Sequence, residues 1–345
     1  MDTHIVEKIS EMVADGLLDS EYICVESEHS AMAACIGAQA TGVRTYTATS
    51  SQGLALMWEL LYIAAGMRMP IVMTVANRSL SAPLNIWNDW SDSIGCRDTG
   101  WIQLYCESSQ EALDTTIQAY KIAENKNVLL PVMVCIDGFY LSHVFEPVDV
   151  PESVKEFLGD YKPHVVLDPN NPITQGAYAT PDYFQEFKQQ QEIAMQKSLK
   201  VIKQVNDEFA SVFNRNYGNG LFELFNMDSA KHAIITMGTL AGTIKHILVN
   251  KNIRDIGLIK LKSYRPFPVN ELEKVLENVQ SIGVLEKDVS LGIGGALYSE
   301  MRFIKKPVAG FIGGLGGRDI TVKEIMDIFD AVRKNKEGIN WVGGK

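Results

Sequence analysis

Hydrophobic and polar positions in the first 145 residues switch repeatedly between a helical and a strand period. Residues 3–15 put Ile5, Val6, Ile9, Met12 and Val13 on one helical face, and Gly16 suits the stop. A short strand is predicted at 21–25, then a helix over 27–41 closed by Gly42. The β-branched run 43–49 reads as a strand, 53–65 as a helix ending at Gly66, and 70–76 as a strand. A loop rich in Asn, Asp, Ser and Trp leads to a strand near 101–106. Ser108 and Glu111 form a capping-box pattern opening a helix to about 124, and a strand at 131–136 closes the unit. Strands alternating with helices of this length predict a parallel sheet covered on both faces.

Residues 146–181 hold six of the twelve prolines and predict an irregular excursion, followed by a long polar helix over about 182–213. Alternation resumes at His232, with strands near 232–237, 255–261, 281–286 and 307–312. Helices are predicted near 240–249, 269–278, 295–304 and 322–333, the last opened by a Thr321–Glu324 capping box. The expected organisation is an α/β domain over 1–145, a Pro-rich and helical linker over 146–228, and a smaller α/β domain over 229–345.

Charge and composition narrow the class. Lys and Arg total 32 against 42 Asp and Glu, a formal charge of −10, with no basic run. Nucleic acid and anionic membrane surfaces are therefore unfavoured as partners. The strongly apolar stretch 54–67 carries Glu59 and is too short to span a bilayer. The opening residues lack the basic start and apolar run of a signal peptide, so a soluble, cytoplasmic chain is expected.

Several chemistries lack their spacing. The five cysteines (Cys24, Cys35, Cys96, Cys106, Cys135) contain no Cys-x-x-Cys pair, iron–sulfur run or zinc pattern, and the histidines no metal-binding spacing. Buried free thiols and structural histidines are expected. The runs Gly313-Gly-Leu-Gly-Gly317 and Gly292-Ile-Gly-Gly295 match neither the dinucleotide fingerprint nor the phosphate-binding loop. They read as tight turns at sheet ends, where a helix N-terminus still offers anion contacts. No serine elbow occurs, and no spacing supports a triad of Ser, His143 and Asp137.

The segment Val25-Glu-Ser-Glu-His-Ser-Ala-Met-Ala-Ala-Cys-Ile-Gly-Ala38 is more informative. Glu28 opens a helix made almost wholly of small residues. Two readings stay open on physical grounds: a carboxylate compensating the helix dipole, or a fixed carboxylate brought against a planar ligand by close packing.

The order strand, Glu, small-residue helix, Gly, strand resembles the pyrimidine-binding domain of thiamine diphosphate enzymes. In wording, Val25-Glu-Ser-Glu-His-Ser-Ala-Met, Thr45-Tyr-Thr-Ala-Thr-Ser-Ser-Gln-Gly-Leu-Ala-Leu-Met, Asn85-Ile-Trp-Asn-Asp and Arg97-Asp-Thr-Gly-Trp-Ile-Gln resemble α subunits of the pyruvate:ferredoxin oxidoreductase (pyruvate synthase) group. So do Arg265-Pro-Phe-Pro, Gly294-Gly-Ala-Leu-Tyr and Gly313-Gly-Leu-Gly-Gly-Arg-Asp-Ile. The resemblance implies a pyrimidine-binding-type parallel sheet domain and a smaller domain similar to the transketolase C-terminal domain.

It also implies residue roles. Glu28 takes the place of the carboxylate that hydrogen-bonds N1′ of the aminopyrimidine, promoting the tautomer that deprotonates the thiazolium C2. Arg78 takes the place of the arginine that holds the 2-oxoacid carboxylate, where a guanidinium suits bidentate pairing. Ser50, Ser51, Gln52 and Gly53 are expected to border the cofactor ring. Asp137-Gly-Phe139 and His143 are assigned only the shaping of their loop.

The Gly-Asp-Gly…Asn motif that binds the diphosphate through Mg²⁺ is absent, as is any cysteine set for [4Fe–4S] clusters. The resemblance therefore implies a complex with a β subunit carrying the diphosphate motif and a cluster, a ferredoxin-like δ subunit and a γ subunit. The implied reaction converts pyruvate, CoA and oxidised ferredoxin reversibly to acetyl-CoA, CO₂ and reduced ferredoxin. Other 2-oxoacids (2-oxoisovalerate, 2-oxoglutarate, oxalate) and a non-catalytic scaffold are the competing readings. The family's opening strand, helix and Tyr-Pro-Ile-Thr-Pro segment, about 30 residues whose loss would expose a sheet edge, precede the point where this sequence starts. Met1 is accordingly expected to be a misplaced start or the edge of a fragment.

Overall fold

The computed structural model describes residues 2–344; Met1, Lys345 and the side chains of residues 2–5, including Ile5, lie outside the described residues. In chain order the first half contains α1 (Asp2–Ala14), α2 (Glu28–Ala40), β1 (Tyr46–Thr49), α3 (Ser51–Leu56), α4 (Trp58–Gly66) and β2 (Val72–Asn77). There follow α5 (Ser91–Gly95), β3 (Ile102–Cys106), α6 (Ser109–Ala123), β4 (Val132–Asp137), α7 (Val154–Leu158) and α8 (Pro181–Phe213). The second half holds β5 (Phe222–Phe225), β6 (His232–Thr236), α9 (Leu240–Asn250), β7 (Ile256–Leu261), β8 (Ser263–Arg265) and α10 (Val269–Val275). It ends with β9 (Ser281–Glu286), α11 (Ala296–Glu300), β10 (Val308–Ile312), α12 (Val322–Arg333) and β11 (Gly338–Trp341).

Two sheets result. The first runs β1-β2-β4-β3-β8, parallel except for β8, which pairs antiparallel with β3. The second runs β11-β10-β9-β6-β7-β5, parallel except for β5 against β7. The interior strands β3, β4, β7 and β9 are buried at every position, as a parallel sheet packed on both faces demands. Their runs are apolar without alternation for that reason. The predicted parallel α/β architecture is the one observed, although 263–265 crosses from the second half of the chain to extend the first sheet.

Departures from the sequence reading have local causes. Residues 21–25, β-prone in composition, are irregular and exposed because no strand lies beside them. The helix expected over 53–65 is two helices meeting at Met57, which caps α3 and begins α4. At α6 the Ser108 hydroxyl accepts from the Glu111 N–H, but Glu111 turns inward instead of completing the box. α10 and α11 are shorter than expected, and the Pro-rich 146–181 contains α7, whose Phe157 is buried against Phe209 and Phe213 of α8. Cys96, Cys106 and Cys135 are buried thiols, whereas Cys24 is exposed. The Thr321–Glu324 capping box is complete.

The carboxylate of Glu111, 1% exposed, accepts from the Glu107 N–H at 2.7 Å and from Lys260 Nζ at 2.8 Å. Lys260 also pairs with Glu107 at 3.0 Å and with Glu223, while Lys245 reaches Glu107 and Lys262 lies 3.3 Å from Glu111. Three carboxylates thus surround a space that Lys260 Nζ occupies. The cluster ties α6 of the first sheet to β5 and β7 of the second. Burial alone would raise the Glu111 pKa; Lys262 and then Lys260 outweigh it and hold the group below the ordinary carboxylate range.

Glycine at 295 is imposed by Glu286. A Cβ there would lie 1.8 Å from Glu286 Oε1, whose carboxylate accepts the N–H groups of Leu297 and Tyr298 at the start of α11. Two predictions follow from these buried charges. Lys260→Met should destabilise the chain by about 3–5 kcal/mol in denaturant unfolding, because it leaves paired carboxylates buried without their cation. Burial pushes the Glu286 carboxyl up to about 8 from 4.5. The native state then keeps a proton the unfolded chain has lost, and stability falls as pH rises through that window. Glu286→Gln should flatten this slope, as unfolding free energies measured across the pH series would show.

Candidate active site

In α/β sheets of this kind ligands gather beyond the carboxyl ends of the strands. The turn Ser50–Gly53 follows β1 and Arg78 follows β2, and these two strands are neighbours. Ser27 caps α2, its hydroxyl accepting from the Ser30 N–H, and thereby sets Glu28 in the first helical turn. The Glu28 carboxylate is exposed and lies against Gly53. A Cβ at 53 would sit 2.8 Å from Glu28 Oε1 and 2.6 Å from Thr49 Oγ1. Glycine at 53 and the small residues of α2 let the two elements approach closely enough to place that carboxylate.

The turn after β1 is held from below. Ser51 is fully buried and left-handed at φ +51°, an uncommon conformation for a residue with a side chain. Its hydroxyl donates to the Ser79 carbonyl and its N–H to Asp92 Oδ2 at 2.9 Å. Gln52 is exposed and donates from Nε2 to Ser81 Oγ at 2.7 Å. Of the four turn residues named from the sequence, Ser51 supports the site from within, while Gln52 and Gly53 lie at its surface.

Arg78 is half-buried, and its backbone N–H donates to the same Asp92 Oδ2 at 3.0 Å. Its Nε is buried with no hydrogen-bond partner, and among the described residues the guanidinium has no ion pair. A buried, unpaired guanidinium nitrogen carries an uncompensated desolvation cost that an anionic ligand relieves. An arginine so placed fits a carboxylate.

Two buried carboxylates carry more than the sequence reading gives them: Asp92 is not singled out there, and Asp137 is assigned only the shaping of its loop. Asp92 is buried and accepts four hydrogen bonds; burial pushes it up to about 6, while bonds from Asn77, Arg78, Ser51 and Ser93 oppose the rise. Asp137, at the end of β4, accepts from Trp90 Nε1 at 2.8 Å, the Thr239 N–H at 3.0 Å, the Thr239 hydroxyl and Lys287 Nζ at 3.1 Å. Burial would raise its pKa, but Lys287, Thr239 and Trp90 reverse this and lower it. The signal available in the sequence was the density of Asn, Asp, Ser and Trp between Ser79 and Ser93. Neither glycine-rich run forms a phosphate cradle. Cβ atoms at Gly316 and Gly317 would lie 2.5 Å from Asn85 Nδ2 and from Trp87 Cβ, so the turn exists to let two loops touch.

The fold is that of a thiamine diphosphate-binding α/β protein, and Glu28 over the Gly53 turn and the unpaired Arg78 lie at its adjacent strand ends. Residues 2–207 match the family described as pyruvate flavodoxin/ferredoxin oxidoreductase, thiamine diphosphate-binding, and residues 230–325 match pyruvate:ferredoxin oxidoreductase core domain II. The chain belongs to the pyruvate:ferredoxin oxidoreductase family and is a subunit of an oxidoreductase of that class. It is 55% identical to pyruvate synthase subunit PorA of Methanocaldococcus jannaschii, over 99% of this chain and 90% of that protein. Identity is 47% to the PorA of Methanothermobacter thermautotrophicus, over 99% and 91%. It is 43% to ketoisovalerate oxidoreductase subunit VorA of Pyrococcus horikoshii, over 96% and 86%. A solved 2-oxoglutarate:ferredoxin oxidoreductase from Magnetococcus marinus shares the fold, with a TM-score of 0.69 at 17% identity, over 97% of this chain and 60% of that one.

Gly53→Ala should lower the melting temperature of the chain modestly, because the new Cβ meets Oγ1 of the buried Thr49, and should swing the exposed Glu28 carboxylate off the turn. A crystal structure of the variant reads the displacement, and turnover of the assembled enzyme should fall with it.

Proposed function

We propose that this chain is the α subunit of a pyruvate:ferredoxin oxidoreductase whose Glu28, Ser50–Gly53 turn and Arg78 form one wall of the active site. The observation that carries the reading is the convergence of these separate segments at the carboxyl ends of β1 and β2, with Glu28 seated on Gly53 and both strand-end turns fastened to Asp92. The overall reaction is the oxidative decarboxylation of pyruvate with CoA to acetyl-CoA and CO₂, reducing ferredoxin, in either direction.

When bound, thiamine diphosphate supplies the carbon nucleophile and electron sink that this decarboxylation requires. Glu28 is the group for N1′ of the aminopyrimidine, its carboxylate exchanging a proton at that nitrogen. The surface of Gly53 and Gln52 borders the ring, and Ser51 and Ser50 fix the shape of the turn. Arg78 orients the substrate by pairing with its carboxylate, and the burial of its Nε favours an anion over water there. The diphosphate with its Mg²⁺ and the [4Fe–4S] clusters are assigned to partner subunits: a β chain, a γ chain and a ferredoxin-like δ chain, with external ferredoxin as electron carrier. In this reading 1–145 is the pyrimidine-side domain, 146–228 the linker and 229–345 the transketolase-C-terminal-like domain. The complex is cytoplasmic; no helix among the described residues is long and apolar enough to cross a membrane.

Branched 2-oxoacids are the second reading, supported by 43% identity to a ketoisovalerate subunit; the higher identities to pyruvate synthase subunits favour pyruvate. Glu28→Gln in the assembled complex should lower kcat by about 100-fold or more with assembly and electron transfer from reduced clusters intact. An unchanged kcat would show a scaffold rather than an active-site chain. Arg78→Ala should raise KM for pyruvate by about 10- to 100-fold, the loss of a charge-assisted pair, and rates with 2-oxoisovalerate and pyruvate compared side by side separate the two substrate readings.

A further inference from the structure

Asp92 receives four hydrogen bonds and every one comes from a donor. Oδ1 accepts from Asn77 Nδ2 at 2.8 Å and the Ser93 N–H at 2.7 Å; Oδ2 accepts from the Ser51 and Arg78 N–H groups at 2.9 and 3.0 Å. Only a carboxylate supplies two acceptor oxygens with no donor. The Oδ2 pair is the notable one, since its donors come from turns after two different strands. Ser51 is left-handed, and such a residue persists only where its surroundings over-determine it. Asp92 itself is fixed at 2% exposure on α5, beside Trp90 and Ser93, which bond to Asp137 and to Tyr105.

We propose that Asp92 is a positioning residue, a single buried oxygen that locks the Ser50–Gly53 turn and the Arg78 backbone to one another so that acid-bearing wall and substrate-binding guanidinium keep one relative geometry. This rests on the active-site reading of Glu28 and Arg78 above. Enclosed as it is, Asp92 acts through Ser51 and Arg78. Misplacement of a binding group by about 1 Å costs on the order of 100-fold in rate, so a tether of this kind has kinetic leverage far above its own bond energy. Asn77 Oδ1 has no partner, so an inverted Asn77 amide can meet an asparagine at 92 whose oxygen still serves Ser51 and Arg78, leaving only the Ser93 N–H facing a donor.

The test is a mutant cycle in the complete complex. Asp92→Ala should lower kcat/KM for pyruvate by about 100-fold, Asp92→Asn, which keeps the oxygen that serves Ser51 and Arg78, should recover part of that loss, and in an Arg78→Ala background Asp92→Ala should cost less than about threefold. Equal cost in both backgrounds, or no cost in either, overturns the tether. If Arg78→Ala alone leaves KM unchanged, the active-site reading fails, and the tether is judged by residue-resolved hydrogen exchange in the unmodified complex. The same exchange measurement decides if Asp92→Ala does not assemble. The Ser51 and Arg78 amides should be protected to the same degree, because one opening event frees both; protections differing by more than about tenfold overturn the proposal.

Discussion

A carboxylate taken out of water must be surrounded by donors, and this chain uses that requirement to build rigid junctions where strands end. Asp137 closes β4 of the first sheet, yet the N–H and hydroxyl of Thr239 and the ammonium of Lys287 come from the second. Asn88 joins the same group, accepting from Lys287 at 2.9 Å and donating to the Asn77 carbonyl at 3.1 Å. The relative placement of the sheets is thereby fixed by directional bonds rather than by apolar contact alone. Everything at the carboxyl ends of β1 and β2 inherits that placement through the 85–93 loop.

The hydrogen-bonding residues of that loop have structural reasons. Asn85 donates to the Gly316 carbonyl, Asp89 accepts from Ser79 and Ser91, Trp90 bonds Asp137, and Asp92 binds Ser51 and Arg78. The loop is therefore a polar strut running from the seam between the sheets to the turns after β1 and β2. A second junction, Lys260 among Glu107, Glu111 and Glu223, repeats the device at β7. Buried ion clusters of this kind add little net stability over an apolar core of the same volume, but they penalise every arrangement that separates their members. Their contribution here is geometric selectivity.

What the sequence disclosed and concealed follows from the range of the interactions. The parallel strands and the helices between them were legible because burial on both faces writes a continuous apolar run, and caps such as Thr321–Glu324 are local. Glu28 stood out because the small-residue helix behind it is contiguous, but its two physical readings stay open along the chain and its proposed role comes from the resemblance. The strand Ser263–Arg265 was not, since three residues carry no period and its partner β3 lies some 160 positions earlier. The burial of Lys260 and Lys262 has no signal along the chain, because their carboxylate partners come from residues 107, 111 and 223. Asp92, and the partners of Asp137, were hidden for the same reason: a polar residue at a strand end or in a loop announces its partners only in three dimensions.

The contrast between Glu28 and Asp92 separates two uses of the same functional group. Asp92 is enclosed, saturated with donors and immobile; Glu28 is exposed, fixed by its helix start and by the space that Gly53 leaves open. In the proposed roles, a proton-exchanging acid has to reach its ligand and so remains open on one side, while the acid that sets its surroundings keeps its partners. Arg78 lies between these extremes, its backbone bound to the rigid carboxylate and its Nε buried without a partner. Placing the rigid anchor on the main chain and leaving the side chain unsatisfied lets the guanidinium bind an anion without disturbing the loop that carries it. The fold thus keeps its ordered hydrogen bonds one layer beneath the surface where chemistry takes place.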